Sequence, residues 1–471
     1  MEPQRSRDAL AALWRGAGQP QSALDAVELT GADPVLPSSF AVGAAAQASI
    51  AAAALASAEL WRLRTGRQQR VAVDMRRAAV EFRSERYLRV EDKPLPEPWD
   101  KIAGAYRCGD GHWVRLHTNF PHHRDGMLKL LHCEHDRASV ERALAGWEAV
   151  ALETAAAEAG LVATAMRSFA EWDAHPQGRA VAALPVLTIE RLGDAAPAPL
   201  PPADRPLGGI RVLDLTRVIA GPVCGRTLAA HGADVLLVTA AHLPNIPPLV
   251  IDTGRGKLST SLDLRAPEGR GQLQALLQEA DVFVQGYRPG AIAGLGFGPE
   301  QVAERRRGIV YVSLSAYGRD GPWASRRGFD SLVQTASGFN AAEAEAAGIT
   351  EPKALPCQAL DHAAGYLMAF GAMTALAHRA REGGSWHVRV SLAQTGRWIR
   401  GLGRIAGGLS CADPRFEDVR DCLEESESGF GRITAVRHAA ILSETPARWT
   451  RPSVPLGTHP PSFATKSPEP V

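Results

Sequence analysis

Residues 211–238, RVLDLTRVIAGPVCGRTLAAHGADVLLV, decide the fold. RVLDL (211–215) and DVLLV (234–238) are short apolar runs rich in branched side chains, and a helix-length segment through about residue 231 separates them. Two similar runs follow at the same kind of spacing, DVFVQ (281–285) and IVYVSL (309–314). Near-continuous apolar strands that alternate with helices are the pattern of parallel strands covered on both faces. Residues 208–330 therefore predict a doubly wound α/β unit. DLRAPEG (263–269) predicts a helix start, with Pro267 near the first position and Glu268 in the positive first turn.

Upstream, DAAPAPLPPADRPL (194–207) carries five prolines, which remove donors and forbid helix and central strand, so it reads as a stiff linker. Residues 40–58, FAVGAAAQASIAAAALASA, carry no charge. Alanine supplies most of that run, and with Gln47, Ser49 and Ser57 it gains little from lipid, so a buried helix is expected and no membrane span. The start, MEPQRSRDALAALWRG, lacks the apolar core and cleavage site of a signal peptide.

Charge and cysteines exclude several function classes. With 52 basic and 51 acidic side chains there is no long-range field to attract nucleic acid or an anionic membrane, and neither is expected as a partner. The six cysteines form no CxxC pair, so neither a disulfide framework nor a zinc site is indicated, and a reducing cytoplasm is expected. Histidines cluster at 112, 117, 122, 123 and 135 without HxxxH or HExxH spacing, which argues for packing or solvated roles and no metal. The turn after RVLDL has no GxGxxG, and Asp234 opens the second strand where a ribose-binding acid would close it, so a nicotinamide cofactor is not expected. There is no GxSxG elbow, and Cys224 lies on an apolar helix face.

DLTRVIAGP, GADVLLV, GKLSTSLDLRAPEG, ADVFVQGYRPGAIAGLGFG and IVYVSLSAYGRDGPWASRRGFDSLVQTASG together resemble the family III CoA-transferases in order and spacing, strongly over about residues 208–400. Similar enzymes include formyl-CoA and carnitine CoA-transferases and alpha-methylacyl-CoA racemase. The resemblance implies a Rossmann-like parallel-sheet domain with helices on both faces plus a smaller α+β domain, usually in interlocked dimers. It implies transfer of coenzyme A between an acyl-CoA and a carboxylic acid, with CoA as substrate and no tightly bound cofactor.

In that family a catalytic aspartate opens the helix that leads into a TGRGQxVxV stretch, and LDHAAGYLMAFGAMTALAHRAREGGSWHVRVSL puts Asp361 there. The implied chemistry is anhydride exchange, in which Asp361 attacks the thioester and then carries CoA as an aspartyl thioester. Amides at the helix start are expected to hold the oxyanion. Read locally, an aspartate before a small-residue helix is also an ordinary N-cap. By the same resemblance CoA binding falls to Arg217, Val218, Ile219 and Ala220, to Lys257, to Gly286, Tyr287 and Arg288, and to Leu295 and Ser315. Lys257 and Arg288 are the expected phosphate partners. The sequence departs from the family in LLVTAA, which lacks the usual acid, at Gly294 in place of an arginine, and at EGGSWHV in place of TGRGQxV.

ASAELWRLRTGRQQRVAVDM (56–75) repeats the stretch that follows Asp361 at a constant offset of 317: Arg62 with Arg379, Gly66 with Gly383, Val71 with Val388, Val73 with Val390. The same offset matches Asp361 to Ala44, so the first copy lacks the carboxylate. GAYRCGDGHWVRLHTNF and EWDAHPQGRAVAALPVLTIERLGD resemble the family's small domain and return strand, which here precede the catalytic helix. The organisation read from the chain is a degenerate family copy over 1–193, a linker over 194–207, the Rossmann-like domain over 208–408, a helical extension over 409–450 and a disordered tail over 451–471. A homodimer or a pseudo-dimeric monomer follows. Two other functions stay open, a racemase with His362 replacing the histidine that relatives place at Phe329, and a noncatalytic CoA-binding scaffold.

Overall fold

The valine-rich runs become strands because every second side chain finds an apolar layer on one face and the alternate ones find another. In the computed structural model, which describes residues 2–463, seven strands form the central sheet. In chain order these are β1 (Leu187–Gly193), β2 (Arg211–Leu215), β3 (Asp234–Thr239), β4 (Lys257–Ser261), β5 (Val282–Gln285), β6 (Val310–Ser315) and β7 (Ser385–Ser391). Their spatial order is β4-β3-β2-β5-β6-β7-β1, all parallel except β1, which pairs antiparallel with β7. Val212, Val235, Val284 and Val312 face one core, and Leu213, Leu236, Phe283 and Tyr311 face the other. The expected helix over 263–269 begins at Pro267 and runs to Glu279. Strand order reverses beside β2, which opens a crevice at the carboxyl ends of β2 and β5.

Two helices of 24 residues each, α1 (Val42–Thr65) and α3 (Ala359–Glu382), pack together in the larger core with α2 (Ala220–Ala230). Their limits keep the 317-residue offset, and α1 is buried from Val42 to Trp61. The uncharged run is thus a core helix, and among the described residues no helix is long and apolar enough to cross a membrane. Small residues permit the close approach: a β-carbon on Gly365 would lie 2.5 Å from the Ala220 carbonyl oxygen, and one on Gly371 would lie 2.4 Å from Val388 Cγ1. Trp386, unusual for its place, closes the turn after α3, donating to the Gly383 carbonyl at 2.9 Å and stacking on His378.

A smaller α+β unit has its own apolar core. The antiparallel strands Gly104–Arg107, Trp113–Leu116 and Ala163–Ala165 are covered by the helices Pro121–Leu131, Arg137–Leu144 and Ala149–Glu158. The linker runs along the end of α3, where Ala198 N–H donates to the Arg379 carbonyl and Gly384 N–H to that of Ala195.

Two expectations fail in the C-terminal part. Residues 409–450 form no α-helix; a 3-10 turn at Phe416–Cys422 leads into the short strands Leu423–Ser426, Ile433–Val436 and Ala440–Leu442. The reason is partnership: Ile433 pairs with Val90, and Ala440–Leu442 adds to Val71–Val73, so extended backbone gains hydrogen bonds a solvated helix would not. Nor are residues 451–463 without structure. His459 N–H donates to the Ser259 carbonyl at 2.7 Å and its ring accepts from Ser259 N–H, covering the exposed edge of β4. The remainder of that tail, 464–471, lies outside the described residues.

Because α1 and β1 fill the core and edge of the unit built from the second half, neither part is expected to fold alone. Residues 208–471 expressed without 1–193 should be insoluble or inactive, and coexpression of both parts, cut within the linker, should return a soluble complex. Size-exclusion chromatography and activity of the two preparations check this.

Candidate functional site

The turn that ends β2 is strained. Val218 has φ +75°, a left-handed backbone that costs a β-branched residue about 1–3 kcal/mol and persists only where its surroundings impose it. Beneath it the ammonium of Lys257 is buried, 2.8 Å from Asp214 Oδ2 and 2.8 Å from the Pro222 carbonyl oxygen. Lys257 therefore does not reach a ligand. The sequence expectation of a phosphate partner is corrected: this lysine neutralises Asp214 and ties the β2 turn to the start of α2.

Val218 and Ile219 line a cavity of about 400 Å³, and Asp361 lies on its wall. Gln358 is the N-cap of α3, and Asp361 sits in the first turn, so the simple N-cap reading does not hold. Capping comes instead from Asp330, on the helix Asp330–Ala336. Its Oδ2 accepts from Leu360 N–H at 2.8 Å and from Asp361 N–H at 2.9 Å, and Gln334 donates to Oδ1. These two amides are thus occupied and cannot serve as the expected oxyanion donors.

Asp361 is 7% exposed. Burial, then the neighbouring Asp330 and Glu85 carboxylates, push its pKa well above the carboxylate range. Burial raises Asp330 to about 6 against the hydrogen bonds it accepts. Burial acts on Glu85 in the same sense and is the largest single influence on it, but the hydrogen bond to His362 Nε2 at 3.1 Å, the attraction of His362 and that of Arg86 together outweigh it and hold Glu85 below its ordinary value. His362 is also stacked on Phe82 at 5.5 Å.

The other residues singled out from the sequence lie along the carboxyl edge of the sheet. Arg217 lines a narrow recess beside Val218, with its guanidinium on the Pro244 carbonyl and 5.0 Å from the Phe120 ring centre. Ala220 is buried at the start of α2. Tyr287 and Leu295 share a recess of about 130 Å³, and Tyr287 and Ser315 share another of about 240 Å³. Burial raises the Tyr287 hydroxyl to about 12. Gly286 and Arg288 are exposed. Of the expected set, Val218, Ile219 and Asp361 line the cavity of about 400 Å³; Ala220 and Lys257 are buried, and the others lie in the neighbouring recesses or at the surface.

Sequence reasoning missed Glu85, Asp330, His117, Asn119 and Trp99 on that cavity's wall. Phe329 is also there, stacked face to face on the His117 ring at 3.9 Å and 5°. The small domain thereby delivers an imidazole beside the position where a histidine had seemed to be missing.

The chain matches the model of CoA-transferase family III over residues 17–197 and 207–402. It is 37% identical over 199 residues to the acetyl-coenzyme A transferase nodX of Hypoxylon pulicicidum, covering 41% of this chain and 34% of that one. An acyl-CoA transferase of Gibberella moniliformis is 31% identical over 334 residues, covering 64% and 58%. The chain thus spans about a third and somewhat over half of these relatives' lengths. The crystal structure of a CAIB/BAIF family protein from Brucella suis aligns at 25% identity with a TM-score of 0.36, over 48% of this chain and 65% of that one. The match to the family's model runs through both the small domain and the Rossmann-like domain, and the chain belongs to CoA-transferase family III.

Proposed function

We propose that this chain transfers coenzyme A from an acyl-CoA to a carboxylic acid, with Asp361 as the attacking carboxylate. The observation that carries the reading is that Asp361 faces the cavity while Asp330 already satisfies the amides of its helix start, so its carboxyl group is redundant for capping. A buried carboxylate with a raised pKa is poorly solvated and basic, which favours attack on a thioester.

The steps conserve every group. An Asp361 oxygen adds to the thioester carbon, the C–S bond breaks, and a mixed anhydride and CoA thiolate result. The thiolate attacks the Asp361 carboxyl carbon and the donor acid leaves as its carboxylate, giving an aspartyl-CoA thioester. The acceptor carboxylate adds to that thioester and expels the thiolate, which attacks the acceptor's acyl carbon and restores Asp361. CoA lies along the carboxyl edge of the sheet, its thiol arm passing Val218 and Ile219 and its nucleotide towards Tyr287, Leu295 and Ser315. For α-proton exchange, His362 was the alternative second group; its bond to Glu85 and its stack on Phe82 speak for transfer instead. The close packing of α1 on α3 supports a pseudo-dimeric chain.

Asp361→Asn should lower turnover by a factor on the order of 10⁴ or more, because the amide cannot form the anhydride. Hydroxylamine or borohydride should trap an adduct on Asp361 of the parent incubated with an acyl-CoA; near-normal turnover of the variant would exclude the mechanism. Since attack needs the ionised carboxyl, kcat/KM should rise with pH at values above the ordinary carboxylate range.

The same variant has a stability signature. Asp330 and Asp361 bind protons more tightly folded than unfolded, so their contribution to stability is present below about pH 4 and is lost as pH rises through their folded pKa values. Removing one carboxyl group should therefore stabilise the protein at pH 8, by on the order of 1–3 kcal/mol, with the gain shrinking towards pH 4. Loss of a favourable helix-start charge opposes this by only about 0.5 kcal/mol, so the sign should hold. Urea unfolding of both proteins at pH 5 and pH 8 measures it.

A further inference from the structure

With the first amides of α3 held by Asp330, the negative oxygen that forms when a thioester is attacked needs other donors. The small domain offers two on the wall of the same cavity, His117 and Asn119.

His117 is 4% exposed, between the rings of Phe329 at 3.9 Å and Trp99 at 6.0 Å. Its Nδ1 is buried without a hydrogen-bond partner, and the ring lines the cavity. Burial, then the nearby Arg115, lower its pKa to about 3, so it stays a neutral imidazole with one N–H. With the proton on Nε2, the ring donates to an acceptor that enters the cavity. Asn119 is oriented independently. Asp100 N–H donates to its side chain at 3.1 Å, and since a backbone amide only donates, the atom facing it is Oδ1 and the NH2 group is free for the cavity. The segment between them is pinned as well, by Thr118 Oγ1 donating to Asp100 Oδ1 at 2.9 Å.

We infer that His117 and Asn119 donate the hydrogen bonds that stabilise the oxyanion formed when the Asp361 carboxylate attacks an acyl-CoA. The inference rests on the reaction proposed above. It gives the small domain a direct part in the chemistry, one that acts in the transition state and not in holding CoA.

Single-turnover formation of the Asp361 adduct tests it, by rapid quench and peptide mass spectrometry with acetyl-CoA, succinyl-CoA and a long-chain acyl-CoA as donors. His117→Phe keeps a ring stacked on Phe329 but has no donor. Asn119→Asp keeps an acceptor for Asp100 N–H and replaces the NH2 donor. Each should slow adduct formation by about 10²–10³-fold, the usual effect of losing one such donor, while the KM for acyl-CoA changes by less than about threefold. Adduct formation at the parent's rate in both variants overturns the inference while leaving the Asp361 reaction standing. So does a loss confined to KM, which would make the two residues binding contacts only. If His117→Phe loses its near-ultraviolet circular dichroism, Asn119→Asp decides alone. A parent that forms no adduct with any of the three donors overturns the proposed reaction and this inference together.

Discussion

Everything in the molecule is arranged around the burial of α3. A helix of 24 residues in the middle of a core needs room for its neighbours, and two of them meet it where glycine leaves that room, α2 at Gly365 and β7 at Gly371. The element packed most extensively on it, α1, is itself built largely of alanine. Close approach of backbones at these glycines is combined with the burial of Tyr366, Met368 and Phe370 elsewhere on the helix. The start of α3 is thereby held against the crevice at the carboxyl ends of β2 and β5.

A buried charge cluster fastens the three chain segments to that core. Asp252 accepts from Arg226 at 2.7 Å, Arg255 at 3.0 Å and Ser84 at 2.6 Å, and Trp449 lies 4.1 Å above the Arg255 guanidinium while donating to the Arg226 carbonyl. Ser84 belongs to the first part, Asp252 to the Rossmann-like domain and Trp449 to the C-terminal strap. A buried ion pair of this sort adds little net stability over an apolar contact, but any segment missing from it leaves charge uncompensated. Glu85, next to Ser84, is delivered to the cavity by this anchoring.

Legibility in the sequence follows the range of the forces involved. β2, β3, β5 and β6 were readable because branched apolar runs mark buried parallel strands wherever they occur. The matching of α1 to α3 was readable because the offset is constant. Asp361 came from resemblance, since an aspartate early in a helix is locally unremarked. Asp330 and His117 were not readable as site residues, because what makes them so is a partner far along the chain: Asp330 caps a helix start 30 and 31 residues away, and His117 matters through a ring at position 329. LEES (423–426) reads as solvated helix and becomes a strand only through its pairing with Ile433–Val436. Lys257 misled for a related reason, as a lysine in a short strand gives no sign that Asp214 waits beneath it.

The two helices supply an internal comparison for the carboxyl group of Asp361. At the start of α1 a loop carboxylate, Asp33, accepts from Ala44 N–H at 3.0 Å, much as Asp330 accepts from Leu360 and Asp361 at the start of α3. The helices are equal in length, each begins against an aspartate from elsewhere in the chain, and Ala44 stands where the offset places Asp361. The α1 end shows that one carboxylate is enough to begin such a helix. At the α3 end a second carboxyl group is added beside the first, in a buried site where burial and like charge both disfavour its ionised form. Capping, packing and solvation would each be served as well or better by alanine there. What alanine does not supply is a carboxyl oxygen on the wall of a cavity, which is what the proposed transfer asks of this position.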